Sequence, residues 1–171
     1  MTIRLCRDDE RDDILSVINA AAAAYRGVIP ADRWHEPYMP GDELDRERAA
    51  GVAFWGYEDC GRLAGVMGLQ DVREVNLIRH AYVAPAKQRA GVGGKLLAHL
   101  LAMNTKPMLV GTWAAATWAV RFYERNGFEL VTPQRKDELL RQYWDIPGRQ
   151  VETSLVLEFR PPARPRAPRH G

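Results

Sequence analysis

The hydrophobic pattern of this chain changes period several times, and each change marks an element. Ile3 and Leu5 alternate with polar neighbours and predict a short first strand. Asp8 or Asp9 suits the cap of the next helix, in which Ile14, Leu15, Ile18, Ala21, Ala22 and Tyr25 recur at helical spacing and mark one buried face. Gly27 and Pro30 end it, a polar stretch bearing Trp34, His35, Glu36 and Tyr38 follows, and a short helix is predicted over 42–50. Alternation then takes over, with strands over 52–57 and 63–69 joined by a turn at 58–61, and another strand over 76–83.

Past Pro85 lie several glycines and a helix whose Leu96, Leu97, Leu100 and Leu101 form an apolar stripe. A strand over 108–112 precedes a helix carrying Ala119, Val120, Phe122 and Tyr123, which Gly127 terminates as a left-handed cap. A strand over 128–131 leads to a helix over 136–144, with Pro133 where a first turn tolerates it and Pro147 and Gly148 as its stop. A strand over 151–159 closes the order. No internal repeat is visible. Strand, two helices, three strands, then alternating helices and strands describe an α+β chain: a mixed sheet with helices on its faces.

Length makes residues 1–160 one domain, and a 46% hydrophobic content supports a core without disulfide or metal staples. Cys6 and Cys60 stand far apart, outside any metal-ligand spacing, and the four histidines form no metal geometry, so no metal is expected. The chain opens on charged sequence with no signal-peptide core, and no apolar run reaches membrane length; a cytoplasmic protein with no membrane partner is the expectation.

The net charge of +2 changes meaning once it is located. Residues 161–171 hold Arg164, Arg166 and Arg169, four prolines and no acid, which leaves 21 basic against 22 acidic residues in the body. The basic balance is thus a property of the tail and argues for no nucleic-acid partner; so Pro- and Arg-rich a tail is expected to be disordered.

The segment 83–95, Val-Ala-Pro-Ala-Lys-Gln-Arg-Ala-Gly-Val-Gly-Gly-Lys, is the most informative. It lies between a strand and an amphipathic helix, where orphan amides and the helix dipole attract an anion. Gly91, Gly93 and Gly94 let that anion approach the backbone, and Arg89, with Lys87 nearby, can offset its charge. A Walker A loop fails, because Gly94-Lys95 is followed by Leu96 and position 89 is Arg; a dinucleotide fingerprint from Gly91 fails at Leu96 as well.

The pattern Gln88-x-x-Gly91-x-Gly93, after a strand ending Tyr82-Val83 and after Pro85, resembles the acetyl-CoA signature of the GNAT N-acetyltransferase family. Downstream, Ala119-Val-Arg-Phe-Tyr-Glu-Arg-Asn-Gly-Phe128 is similar to that family's second signature. The resemblance implies a central, mostly antiparallel mixed sheet of six to seven strands, splayed between the fourth and fifth. It also implies pantetheine contacts from Ala81, Tyr82 and Val83, and pyrophosphate contacts from Gln88, Arg89, Ala90, Gly91, Val92, Gly93 and Gly94. Coenzyme A and a small-molecule or peptide amine would be the partners; members are often dimers, so a homodimer is admitted.

Acetyl transfer needs a neutral amine, although a lysine-type amine titrates near roughly 10.4. By resemblance the Val83 N–H would stabilise the oxyanion and Tyr123 would protonate the departing thiolate, a position that equally suits a core aromatic. His80 is the candidate base, with strand alternation setting it opposite Arg79 and Ala81; a structural histidine is the other reading, and His35, Glu36 and Glu74 are further candidates. Where the family often has asparagine, seven residues before the tyrosine, this chain has Ala116, with Thr117 as a substitute. The segment 26–42 and Trp113, Trp118, Tyr143 and Trp144 are expected to shape the acceptor site. Beside the acetyltransferase reading stand transfer of a longer acyl group and a catalytically silent CoA-binding domain.

Overall fold

A computed structural model describes residues 1–146 and 148–162. Seven strands, β1 (Thr2–Leu5), β2 (Val52–Asp59), β3 (Arg62–Val72), β4 (Val75–Val83), β5 (Met108–Trp113), β6 (Glu129–Leu130) and β7 (Ser154–Phe159), form one sheet in the order β1-β2-β3-β4-β5-β7-β6. Every neighbouring pair is antiparallel except β4–β5, which is parallel. The β2–β3 turn is only Cys60 and Gly61, both at positive φ (50° and 74°), the backbone twist that two-residue hairpins require.

Helix α1 (Arg11–Ala22) buries Ile14, Val17, Ile18, Ala21 and Ala22. With Leu44 of α2 (Gly41–Ala49) it covers Val52, Phe54 and Val66 on one face of the sheet. On the other face α3 (Val92–Met103) sets Val92, Leu96, Leu97 and Leu100 against Met67, Ile78 and Val110, and α4 (Thr117–Arg125) adds Tyr123. Adjacent residues on β4 divide between layers. Ile78 belongs to the α3 core, whereas Leu77 packs with Leu139 and Leu140 of α5 (Pro133–Tyr143), so α5 lies on the face opposite α3.

Several element ends differ from the sequence expectation for local reasons. The first helix stops at Ala22 and passes into a 3-10 turn, which takes Tyr25 off the buried α1 stripe. Helix α5 starts at Pro133, because the Thr132 hydroxyl accepts from the Arg135 amide at 3.3 Å. Gly127 ends α4 as expected. At φ +86° it lets Phe128 N–H reach the Tyr123 carbonyl (3.1 Å) while its own N–H reaches Glu124 (3.1 Å), which leaves only Glu129–Leu130 for β6.

The strand expected from Val151 begins instead at Ser154, because residues 148–153 form a short helix, α6 (Gly148–Thr153). The Ser154 hydroxyl bonds the Gln150 carbonyl at 2.6 Å and holds that last turn, and Val151 packs with the α5 cluster. The Pro147 stop and residues 163–171 of the tail lie outside the described residues. Among those described, no helix is long and apolar enough to cross a membrane.

Candidate active site

The site follows from how β4 leaves β5. The two strands pair only from Asn76↔Met108 to Ile78↔Val110, after which β4 runs on to Val83 and β5 to Trp113 with no pairing between them. Between Val66 and Gly68 the β3–β4 register slips, so His80 and Ala81 together oppose Met67, and His80 takes a left-handed φ of +51°. Such a bulge bends its strand and here swings the end of β4 away from β5. Gly68 makes it possible: a Cβ there would stand 2.8 Å from the Arg79 carbonyl oxygen and 2.7 Å from Val52.

The gap is a cavity of about 660 Å³, within the usual range for small-molecule sites. Ala84 N–H bonds the Ala64 carbonyl at 2.9 Å, so Val83 and Gly65 form a non-hydrogen-bonded pair. The main-chain groups of Val83 therefore point away from β3, into the opening. Its carbonyl accepts from the Gln88 side-chain amide at 3.2 Å, and its N–H is left facing the cavity.

The glycine turn forms the cavity's other lip. Gly91, at φ +75°, caps α3, and Lys95 N–H closes the first helical bond to its carbonyl at 3.0 Å. No acceptor among the described residues takes the amides of Arg89, Gly91, Val92, Gly93 or Gly94, while Ala90 N–H reaches Lys87 at 3.4 Å. A Cβ on Gly91 or Gly94 would meet nothing within 4 Å. Five unspent amides at a helix start, over open space, are suited to an anion. Gln88 serves this geometry by tying the turn to β4. Lys87 is spent on Asp59 at 2.6 Å and depresses that carboxyl, so the cations here without an ion pair among the described residues are Arg89 and Arg125. Arg125 escaped the sequence reading, since the last turn of an amphipathic helix commonly carries a solvated arginine.

Tyr123 is 5% exposed and its ring packs edge-on against Phe122 (5.0 Å between centroids) and Phe128 (5.3 Å). It also lines the cavity, and no hydrogen bond among the described residues engages its hydroxyl. Tyr123 is thus packed as a core aromatic while also standing on the cavity wall. Burial raises its pKa, so it stays protonated and able to donate. Ala116 is fully buried, and Thr117 is exposed and off the cavity wall, so it does not replace the family's asparagine.

His80 is held elsewhere. The bulge cancels the expected alternation, and Arg79 and His80 turn to the same carboxylate: Arg79 donates to Glu47 at 2.9 Å, and His80 Nε2 lies 3.1 Å from Glu47 Oε2 with its ring over Phe54. Burial pushes the Glu47 carboxyl up, but His80 and Arg79 outweigh it and keep it ionised. His35 Nδ1 is 2.8 Å from the Pro37 carbonyl, Glu36 accepts from Arg26 and from Trp34 Nε1, and Glu74, in the β3–β4 turn, accepts from Tyr143. None of these three lines the cavity. Tyr143 is likewise off its wall, whereas Trp113, Trp118 and Trp144 are on it, with the Trp144 indole over Gly111.

A family model described as an acetyltransferase (GNAT) domain matches residues 19–142, well over half of the chain. Among solved structures, the fold is similar to an acetyltransferase of the GNAT family from Staphylococcus aureus Mu50, at 14% identity and TM-score 0.69, over 92% of this chain and 97% of that one. It is similar also to the PaiA N-acetyltransferase from Thermoplasma acidophilum in complex with coenzyme A, at 15% identity and TM-score 0.67, over 94% and 99% of the two chains. The ribosomal-protein-S18-alanine N-acetyltransferase from Escherichia coli matches at 17% identity and TM-score 0.66, over 92% of each chain. At these identities the neighbours speak for the fold alone. Together with the family match they make this chain a member of the GNAT acetyltransferase family.

Proposed function

We propose that the protein transfers the acetyl group of acetyl-CoA to an amine by direct attack within a ternary complex. The observation that carries this reading is the set of free amides of Arg89 and of Gly91 to Gly94 beside the outward N–H of Val83, on two lips of one cavity. The amides suit the donor's diphosphate, Arg89 and Arg125 offset its charge, and the open edge of β4 at Ala81, Tyr82 and Val83 suits the pantetheine amides. The Thermoplasma neighbour was solved in complex with coenzyme A, which supports coenzyme A as the ligand.

With the thioester carbonyl near Val83, the amine lone pair forms the new C–N bond and the carbonyl electrons move onto oxygen, where the Val83 N–H meets them. Collapse breaks the C–S bond. Tyr123 donates its proton to the sulfur, and the proton shed by the amine returns to the phenolate through solvent. Calorimetry with coenzyme A, followed by thiol release from acetyl-CoA across a panel of amines, tests the reading; a protein that ignores coenzyme A refutes it. A second reading has one observation in its favour: no carboxylate among the described residues lines the cavity and His80 is engaged by Glu47, as a catalytically silent CoA-binding domain would allow. Coenzyme A binding without thiol release from any amine would select it.

A further inference from the structure

Away from the glycine turn, the cavity is walled by aromatic rings, of which Tyr38 and Tyr82 also pack against the core under α1. Tyr25 meets Tyr82 edge-on at 6.1 Å between centroids and Trp118 at 5.2 Å, and Tyr38 meets Tyr82 at 6.2 Å. These four side chains come from three separate parts of the chain, namely the segment after α1, the end of β4 and the start of α4, and all four line the cavity. Trp118 is 44% exposed, a large apolar surface left at a cavity wall.

The electrostatics of the wall are one-sided. Its ionisable groups are Arg79, His80, Lys87, Arg89, Arg125 and tyrosines, and no aspartate or glutamate is among the described lining residues. Glu36 is already taken by Arg26 and Trp34, Asp42 by Arg46, and Glu47 by Arg79 and His80. Nor do Tyr25 and Tyr82 supply negative charge: burial holds Tyr25 up at about 12 and pushes Tyr82 well above its ordinary value. A polyamine entering this wall would desolvate several ammonium groups with no anion among the described lining residues to pair them, a cost that cation–π attraction returns only in part. A flat apolar group, in contrast, finds ring faces and edges of the kind aromatic pairs prefer. The same dryness favours the neutral form of a single amine, which the reaction needs in the absence of a free base on the wall.

From this juxtaposition we infer that the acceptor is an aromatic monoamine, a single primary amine on a short arm from a planar ring, seated among Tyr25, Tyr38, Tyr82 and Trp118. The inference rests on the acetyltransferase reading and narrows its acceptor. The test compares 2-phenylethylamine, butylamine and spermidine in the thiol-release assay near neutral pH, after coenzyme A binding has been measured on the same protein. The expected order of kcat/KM is phenylethylamine first, then butylamine, then spermidine, with about tenfold or more between the first and the last, mostly in KM. Trp118→Ala should raise the KM for phenylethylamine by roughly three- to tenfold, with Trp118→Phe restoring most of it. Spermidine or butylamine preferred over phenylethylamine, with coenzyme A bound and thiol released, overturns the acceptor class and leaves the transferase reading intact. Coenzyme A bound with no thiol released from any amine overturns both.

Discussion

Gly94 offers a substitution whose effects on folding and on donor binding have opposite signs. It is the third residue of α3, one of the turn residues with a free amide, and a Cβ there meets nothing within 4 Å. Gly94→Asp adds a carboxylate to the first turn of a helix, which stabilises by about 0.3–1 kcal/mol through the dipole and a few tenths more by removing a helical glycine. For a domain of this size that is a Tm rise of about 1–4 °C. The same carboxylate stands beside any phosphate held on the turn. Like charges about 4 Å apart repel by roughly 1 kcal/mol in water and roughly 4 kcal/mol near a protein surface. The Kd for coenzyme A should therefore rise by about 10- to 100-fold.

Gly94→Asn, nearly isosteric and neutral, separates charge from bulk and should lose much less affinity. The deficit of the aspartate variant should shrink as salt is raised, because the two charges face solvent. Calorimetry with coenzyme A at low and high salt, beside thermal unfolding of the free protein, gives both halves. An aspartate variant that melts higher yet binds coenzyme A as the parent does would refute the assignment of the anion to this turn.

Tyr123→Phe keeps the ring contacts with Phe122 and Phe128 and removes the donor, so kcat should fall by about 100-fold with little change in the KM for acetyl-CoA; unchanged turnover near neutral pH removes the acid role. Gly68→Ala drives a methyl to 2.8 Å from the Arg79 carbonyl at the bulge, and overpacking of that kind costs about 1–3 kcal/mol, to be read as a lower denaturant midpoint together with weaker coenzyme A binding. Glu10, 5% exposed, accepts a bidentate pair from Arg4 (2.7 and 2.8 Å), which with the Arg7 amide lowers its pKa from 4.5 to about 2. Because the folded value is the lower one, its stabilisation is present above about pH 4.5 and is lost as the pH falls towards about 2. Glu10→Gln should cost about 1.5–3 kcal/mol near pH 7, and a difference that persists undiminished at pH 2 would contradict the linkage.

Local chemistry was enough to read most of the fold and one lip of the site from the chain itself. The change to strand period announced β2 to β4, the leucine stripe announced α3, Gly127 marked the end of α4, and Gly91, Gly93 and Gly94 between a strand and a helix pointed to an anion turn, where those three amides are free in the structure. These features depend on residues within a few positions of one another, and short-range sterics and hydrogen bonding determine them wherever the segment sits. The acceptor wall and the fate of the candidate bases depend on contacts between distant segments. Alternation predicted opposite directions for Arg79 and His80, but one extra residue against Met67 turned both towards Glu47, on a helix more than thirty positions earlier. Tyr25 reads as core by helical spacing, yet α1 ends before it, and it stands on the cavity wall against Tyr82 and Trp118. A bulge arises where two strands of unequal length must share a register, and a pocket arises where sheet and helices fail to close; both are properties of the packed whole. Only the tertiary structure decided them.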